Sequence, residues 1–95
     1  MNVYFVECEE RVYDNNKNIL YCEHSHCENA YTNENKAIQQ VTMMTDDIMN
    51  DLLNCGVPAH TISRETNANG DYAIVHNGKN ETYEYFVSIV NIDED

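Results

Sequence analysis

The segment that most constrains the fold is a long stretch with the period of an amphipathic helix. Apolar residues recur there at spacings of three and four, which is typical of one helix face. These residues are Ala37, Val41, Met44, Ile48, Leu52 and Cys55, with Ile38, Met49 and Leu53 widening the stripe. Thr32 or Asn33 can cap the start, and Glu34 places an anion where the helix dipole favours one. Gly56 and Pro58 end the helix after about 21 residues, roughly 30 Å.

Alternating residues on both sides of this helix predict five strands. Two precede it, over residues 3–12 and 19–24, and three follow it, over residues 60–66, 71–76 and 81–92. The run Tyr-Asp-Asn-Asn-Lys-Asn at 13–18 is typical of a turn, so the first two strands form a hairpin. Asn69-Gly70 and Asn77-Gly78 favour type I′ turns, which make the last three strands a meander.

The order of these elements predicts an α+β fold with ββαβββ order. We expect a single antiparallel sheet of about five strands, covered on one face by one long helix, and residues 1–95 as one acidic domain. The other face of the sheet is then exposed or buried by a partner. Three acidic residues at 93–95 form a short solvated tail.

Net charge is the feature that most constrains the partners of the chain. Seventeen Asp and Glu residues oppose five Lys and Arg residues, which is a formal charge of −12 on 95 residues. Such a field repels nucleic acid and anionic membranes and attracts basic proteins. Phosphate binding also needs clustered Lys and Arg, which here stand singly. We therefore expect no direct nucleic-acid partner and no membrane, but a basic nucleic-acid-binding protein.

The compartment is predicted from what the chain contains and lacks. No signal-peptide pattern and no apolar run of membrane-spanning length is present in the sequence. The four cysteines are then expected to be reduced, as in the cytosol. Abundant Asn, Tyr and Ile are typical of AT-rich coding, so we expect the cytoplasm of a bacterial host cell.

Cysteines and histidines cluster around the predicted second strand. The set comprises Cys8, Cys22, His24, His26 and Cys27. A turn at Asn15-Asn16 would place residue 8 opposite residue 23 and bring Cys8 beside Cys22, where four soft ligands could bind tetrahedral zinc. Against zinc, there is no Cys-x-x-Cys motif. The favoured explanation is that Cys8 and Cys22 are small buried hydrophobic residues and the histidines are exposed in a loop.

Catalytic motifs are not recognisable in the sequence. Cys27 with His24 or His26 is too local a pair for a thiol nucleophile and its base, which usually come from separate elements. No phosphate-binding loop, nucleophile elbow or metalloprotease helix occurs. We therefore predict that the chain is not an enzyme and that it needs no cofactor.

The acidic surface provides the candidate partner-binding residues. Between residues 37 and 55 the helix contains no Lys or Arg, although solvated helices usually intersperse them with acids. The predicted charged contacts are Asp46, Asp47 and Asp51 on the helix and Glu81 and Glu84 on the last strand, with Tyr83 or Tyr85 as aromatic anchor. A carboxylate-rich surface can also serve solubility alone, and both interpretations stay open.

In size, acidity and element order, the chain resembles the small inhibitors encoded by phages and mobile elements, notably the anti-CRISPR proteins and other DNA mimics. The resemblance implies a non-enzymatic inhibitor that occupies the nucleic-acid-binding cleft of a bacterial enzyme, such as a Cas effector. Two alternatives remain open from the residues themselves. One is a structural domain that forms a homodimer through its bare sheet face. The other is a small zinc-binding module that uses the Cys/His cluster.

Overall fold

The computed structural model describes residues 1–93 and confirms the predicted α+β fold, one antiparallel sheet of five strands with one long helix. The elements are β1 (Asn2–Tyr13), β2 (Ile19–Tyr31), α1 (Glu34–Asn54), a short 3₁₀ helix (Ala59–Thr61), β3 (Ile62–Thr66), β4 (Tyr72–Asn77) and β5 (Glu81–Asn91). The strand order is β2-β1-β5-β4-β3, so α1 connects the two edges of the sheet. Of the predicted tail, residues 94 and 95 lie outside the described residues.

Both ends of α1 follow from local hydrogen bonding. Of the two candidate caps the chain uses Asn33, whose side-chain oxygen accepts a hydrogen bond from the Asn35 amide at 2.8 Å. At the other end Gly56 adopts a φ of +89°, and its amide donates to the Leu53 carbonyl at 3.0 Å. The next amide donates to Leu52, also at 3.0 Å, which completes a Schellman motif. No helix within residues 1–93 is long and apolar enough to cross a membrane.

The core lies between α1 and the central strands. It is built around five buried residues: Val6, Ala37, Val41, Ala73 and Tyr85. Met44 and Ile48 of the predicted stripe pack against them and are partly buried. Cys55 of that stripe is exposed because it is the C-cap residue, where the helix ends. The helical period therefore predicted most of the buried face correctly.

One buried helix position was not recognisable as core. Thr45 is only 1% exposed, although its side chain is polar. Its hydroxyl donates to the Thr42 carbonyl at 2.9 Å and accepts from the Arg64 guanidinium at 3.2 Å. Since both bonds satisfy the hydroxyl, it can be buried at little cost.

The first hairpin differs from the prediction in length and register. β2 continues to Tyr31, well beyond the predicted end at residue 24, so both histidines of the cluster lie in a strand rather than a loop. Cys8 pairs with Ser25 instead of residue 23, and Cys22 pairs with Arg11. Because side chains alternate along a strand, Cys8 and Cys22 lie on opposite faces of the sheet. The predicted pairing of these two cysteines was wrong.

The loop at the hairpin tip accounts for one residue of the two-residue shift in register, and an irregularity in the pairing between Val12 and Tyr13 accounts for the other. The Asp14 carboxylate accepts hydrogen bonds from the amides of Asn16 and Asn18, at 2.8 and 2.9 Å. These bonds also lower the pKa of the Asp14 carboxyl. Within the same loop, Lys17 adopts a φ of +67°. The turn therefore spans five residues closed by Asp14 and Asn18, not two centred on residues 15 and 16.

The meander of β3, β4 and β5 is confirmed, but its turns are not type I′. Such turns need positive φ at two consecutive residues. In the described chain the only non-glycine residue with positive φ is Lys17, so Gly70 and Gly78 have no such neighbour. Asn77 pairs with Glu81, which leaves a three-residue loop between β4 and β5. The 3₁₀ helix delays β3 to Ile62, two residues after its predicted start.

The core predicts a sharp contrast between two identical substitutions in neighbouring strands. Val6 is fully buried, whereas Val90 is 47% exposed. We expect Val6→Ala to lower the free energy of unfolding by about 2 kcal/mol, from lost burial and a residual cavity. Val90→Ala should change it by less than about 0.5 kcal/mol. Urea unfolding followed by circular dichroism measures both, and equal effects would contradict the assigned core.

Candidate protein-binding site

The two faces of the sheet have different chemistry. Val6 and Cys8 of β1 point toward α1 and contribute to the core. By alternation, Glu7, Glu9 and Arg11 of the same strand point to the other face, which no helix covers. We call these the helix face and the open face of the sheet.

The open face carries a network of charged side chains. The Arg11 guanidinium donates to Glu84 at 2.6 Å and also forms an ion pair with Glu9. His24 lies 3.0 Å from a Glu7 oxygen and 3.2 Å from a Glu9 oxygen. These carboxylates raise the pKa of His24, that of Glu7 most strongly. Each of these three carboxylates therefore has an arginine or histidine partner within the protein.

The Cys/His cluster is divided between the two faces. Cys8 is half-buried beside the core, and burial is the main cause of its raised thiol pKa. Cys22 is exposed on the open face, where His24 engages Glu7 and Glu9. Within residues 1–93, no group of three or more His, Cys, Asp or Glu side chains is arranged to hold a metal ion.

A groove lies on the helix face, between α1 and β5. Its volume is about 190 Å³, and its lining residues are Met44, Asp47, Ile48, Asp51 and Tyr85. The four helix residues stand at spacings of three and four, so they form one side of α1. Tyr85 is 5% exposed and forms part of the groove surface, whereas both aspartates are exposed. We call this feature the acidic groove.

Three further carboxylates lie on the helix face of the strands. Glu10 on β1 pairs across the sheet with Glu23 on β2 and with Tyr83 on β5. Glu81 lies two residues before Tyr83 on β5, on the same face, and accepts a hydrogen bond from the Tyr83 hydroxyl. Burial raises the pKa of Glu10, and repulsion from Glu81 and Glu23 raises it further. We call Glu10, Glu23 and Glu81 the strand carboxylates.

Two tyrosines connect the strand carboxylates to the acidic groove. Tyr83 and Tyr85 are alternate residues of β5 on the same face. Tyr83 bonds to Glu81, and Tyr85 lines the groove with the two aspartates. Burial raises the pKa of both tyrosine hydroxyls, so both are neutral donors at neutral pH. Groove and strand carboxylates together form one surface, which we call the acidic face.

Five of the seven residues predicted for partner binding belong to the acidic face. They are Asp47, Asp51, Glu81, Tyr83 and Tyr85. Asp46 forms an ion pair with Arg64 beside the helix. Glu84 lies on the open face with Arg11.

Sequence reasoning did not single out Glu10 and Glu23 as members of this face. Continuing the alternation of Val6 and Cys8 by one step would have placed Glu10 on it. The predicted register, with residue 23 opposite Cys8, would also have put Glu23 on this face, but only the observed register places it directly opposite Glu10. The groove walls Met44 and Ile48 were assigned to the core only.

Burial, and then repulsion from Glu81 and Glu23, should make the Glu10 charge unfavourable. A raised carboxyl pKa means that the folded state disfavours the ionised form, so removing that charge stabilises the fold near neutral pH. We expect Glu10→Gln to raise the melting temperature by about 1–4 °C at low salt. The gain should shrink at 0.5 M NaCl, where the screening length is about 4 Å. Glu65→Gln, on the open face, is the control, and a lower melting temperature for Glu10→Gln would contradict the repulsion.

His24 should make stability depend on pH. Its pKa is raised above the ordinary value of 6.5 by Glu7 and Glu9, so its contribution is complete below pH 6.5 and is lost as pH rises through the raised pKa. We expect the melting temperature of the wild type, relative to His24→Gln, to fall over this range. His60→Gln serves as the control, because His60 lies in the 3₁₀ helix. A constant difference between wild type and His24→Gln from pH 5.5 to 8 would refute the assigned interaction.

Comparison with known proteins does not indicate a function for this surface. The chain matches no protein family model, no curated protein and no solved structure. Its function must therefore be inferred from its own charges, contacts and surface.

Proposed function

We propose that this chain is a non-enzymatic, protein-binding inhibitor. Its acidic face would occupy the cleft in which a basic protein, such as a CRISPR-Cas effector, holds nucleic acid. The observation that supports this proposal is the uncompensated charge of the face. Within residues 1–93, its five carboxylates form no ion pair, while both arginines are engaged by other acids.

The arrangement of charge suits a partner with a strongly positive cleft. Asp47 and Asp51 stand one helical turn apart, about 6 Å, on short side chains with little freedom to move. Glu10 and Glu23 are directly opposite each other across neighbouring strands. Like charges held this close destabilise the free protein, and an opposing positive surface relieves that cost. Complementary potentials also accelerate encounter and orient the partner.

Charge alone does not supply affinity, because exposed ion pairs contribute little in water. Affinity usually comes from a few desolvated anchors near the centre of an interface. Tyr83 is partly exposed on the acidic face, and the groove beside Tyr85 adds the apolar side chains of Met44 and Ile48. The acidic face thus combines carboxylates with a small group of apolar and aromatic side chains, Met44, Ile48 and Tyr85.

Self-association through the open face is supported less well. The centre of that face holds Arg11, Glu9, Glu84 and His24 in ion pairs, next to the ring of Phe86. Burying these ion pairs in a dimer would carry a desolvation cost. Two copies would also bring together chains with a formal charge of −12 each. An inhibitor that binds a positively charged protein avoids both costs.

The proposal predicts a partner that competes with nucleic acid. We expect the tagged chain to capture a basic nucleic-acid-binding protein from a bacterial lysate, and we expect both salt and added DNA or RNA to displace it. Asp47→Lys/Asp51→Lys should weaken the purified complex at least tenfold without unfolding the domain. The control is Glu65→Lys/Asp93→Lys, which changes net charge equally outside the acidic face. Recovery of only the chain itself, partners insensitive to salt, or unchanged affinity of the first variant would refute the proposal.

A further inference from the structure

The geometry points to the side chain that the acidic groove receives. We propose that the groove binds one arginine side chain of the partner, with its aliphatic part against Met44, Ile48 and Tyr85 and its guanidinium between Asp47 and Asp51. This inference rests on the proposed function, because it names the chemistry that the partner presents to the same face.

The size of the groove limits its occupant. At about 190 Å³ it is smaller than the roughly 300–1,000 Å³ typical of small-molecule pockets. One long side chain is compatible with this volume, and Asp47 and Asp51 would repel the phosphate of a nucleotide. The walls formed by Met44 and Ile48 are apolar, and methionine adapts its shape to what it contacts. A ligand with an apolar stem is therefore favoured over a small hydrated cation.

The two aspartates of the groove, Asp47 and Asp51, determine which charged group can bind there. Asp47 and Asp51 stand on the same side of the groove, one turn apart, and neither forms an ion pair within residues 1–93. A guanidinium has five N–H donors in a rigid plane, so it can serve two carboxylates about 6 Å apart. It also stacks on aromatic rings and is less strongly hydrated than an ammonium group. Arginine therefore fits these two aspartates better than lysine.

The chain already contains a related arrangement on the same helix. The Arg64 guanidinium forms an ion pair with Asp46 and donates to the Thr45 hydroxyl at 3.2 Å. There, an arginine from β3 packs along α1 and satisfies a helix aspartate. Asp47 and Asp51 offer two carboxylates in place of one, and the described chain supplies no arginine to them. The guanidinium that binds Asp47 and Asp51 would therefore come from the partner.

A titration of the full chain tests this inference without the partner. The probe is N-acetyl-arginine methylamide, compared with its lysine and citrulline counterparts, and methyl and amide NMR shifts are the readout. We expect saturable shifts at Met44, Ile48, Asp47 and Asp51, with arginine binding at least fivefold tighter than citrulline and also tighter than lysine. Asp47→Asn/Asp51→Asn should weaken arginine binding roughly fivefold to tenfold. The matched control, Glu65→Gln/Asp93→Asn, should leave it unchanged.

Shifts spread over the whole surface, or equal binding of the citrulline probe, would overturn the inference. Equal binding of the lysine probe would overturn the choice of arginine. A second variant, Met44→Phe, fills the groove at constant charge and should weaken the partner complex at least tenfold. The NMR titration keeps the test valid if that variant unfolds.

The two proposals can fail separately. A partner that competes with nucleic acid and is lost in Asp47→Lys/Asp51→Lys, combined with no arginine binding, would refute the groove inference and leave the proposed function standing. Arginine binding in the groove without any such partner would refute the proposed function alone.

Discussion

The packing of α1 against the central strands is the contact on which the remaining structure depends. Val41 and Ala37 meet Val6 and Tyr85 in the core, and the helix connects one edge of the sheet to the other. A helix that joins opposite edges has to cross the sheet, so it covers the middle of one face. A single helix cannot also cover the second face. The domain therefore has one thin core, in keeping with its length.

The absence of a second covering layer has an electrostatic consequence. Side chains on the open face must satisfy one another, and Arg11 does so by binding both Glu9 and Glu84. On the helix face, Arg64 is engaged by Asp46 of α1. In a chain with only five Lys and Arg residues, these contacts use both arginines. The charge of the acidic face is left uncompensated for this reason, and not only because the chain is acidic overall.

The site shows how far sequence reasoning could reach. Charge, helix period and strand alternation were enough to select Asp47, Asp51 and Glu81, and the same alternation separates Glu81 from Glu84 by face. It could not indicate that Asp46 would meet Arg64, eighteen residues away in sequence, because that contact depends on where α1 lies over β3. The groove required the same information, since its walls come from a helix and a strand.

Local chemistry in the sequence determined the helix and the number of strands, although not the full length of β2. The helix ends follow from Asn33 and Gly56, the strands follow from alternation, and the net charge requires no structure at all. Only the tertiary structure decided the register of the first hairpin, where the five-residue turn closed by Asp14 and an irregularity between Val12 and Tyr13 place Cys8 opposite Ser25. It also decided which carboxylates remain unpaired. The physical reason is that caps and periods depend on neighbouring residues, whereas register and ion pairing depend on contacts between distant parts of the chain.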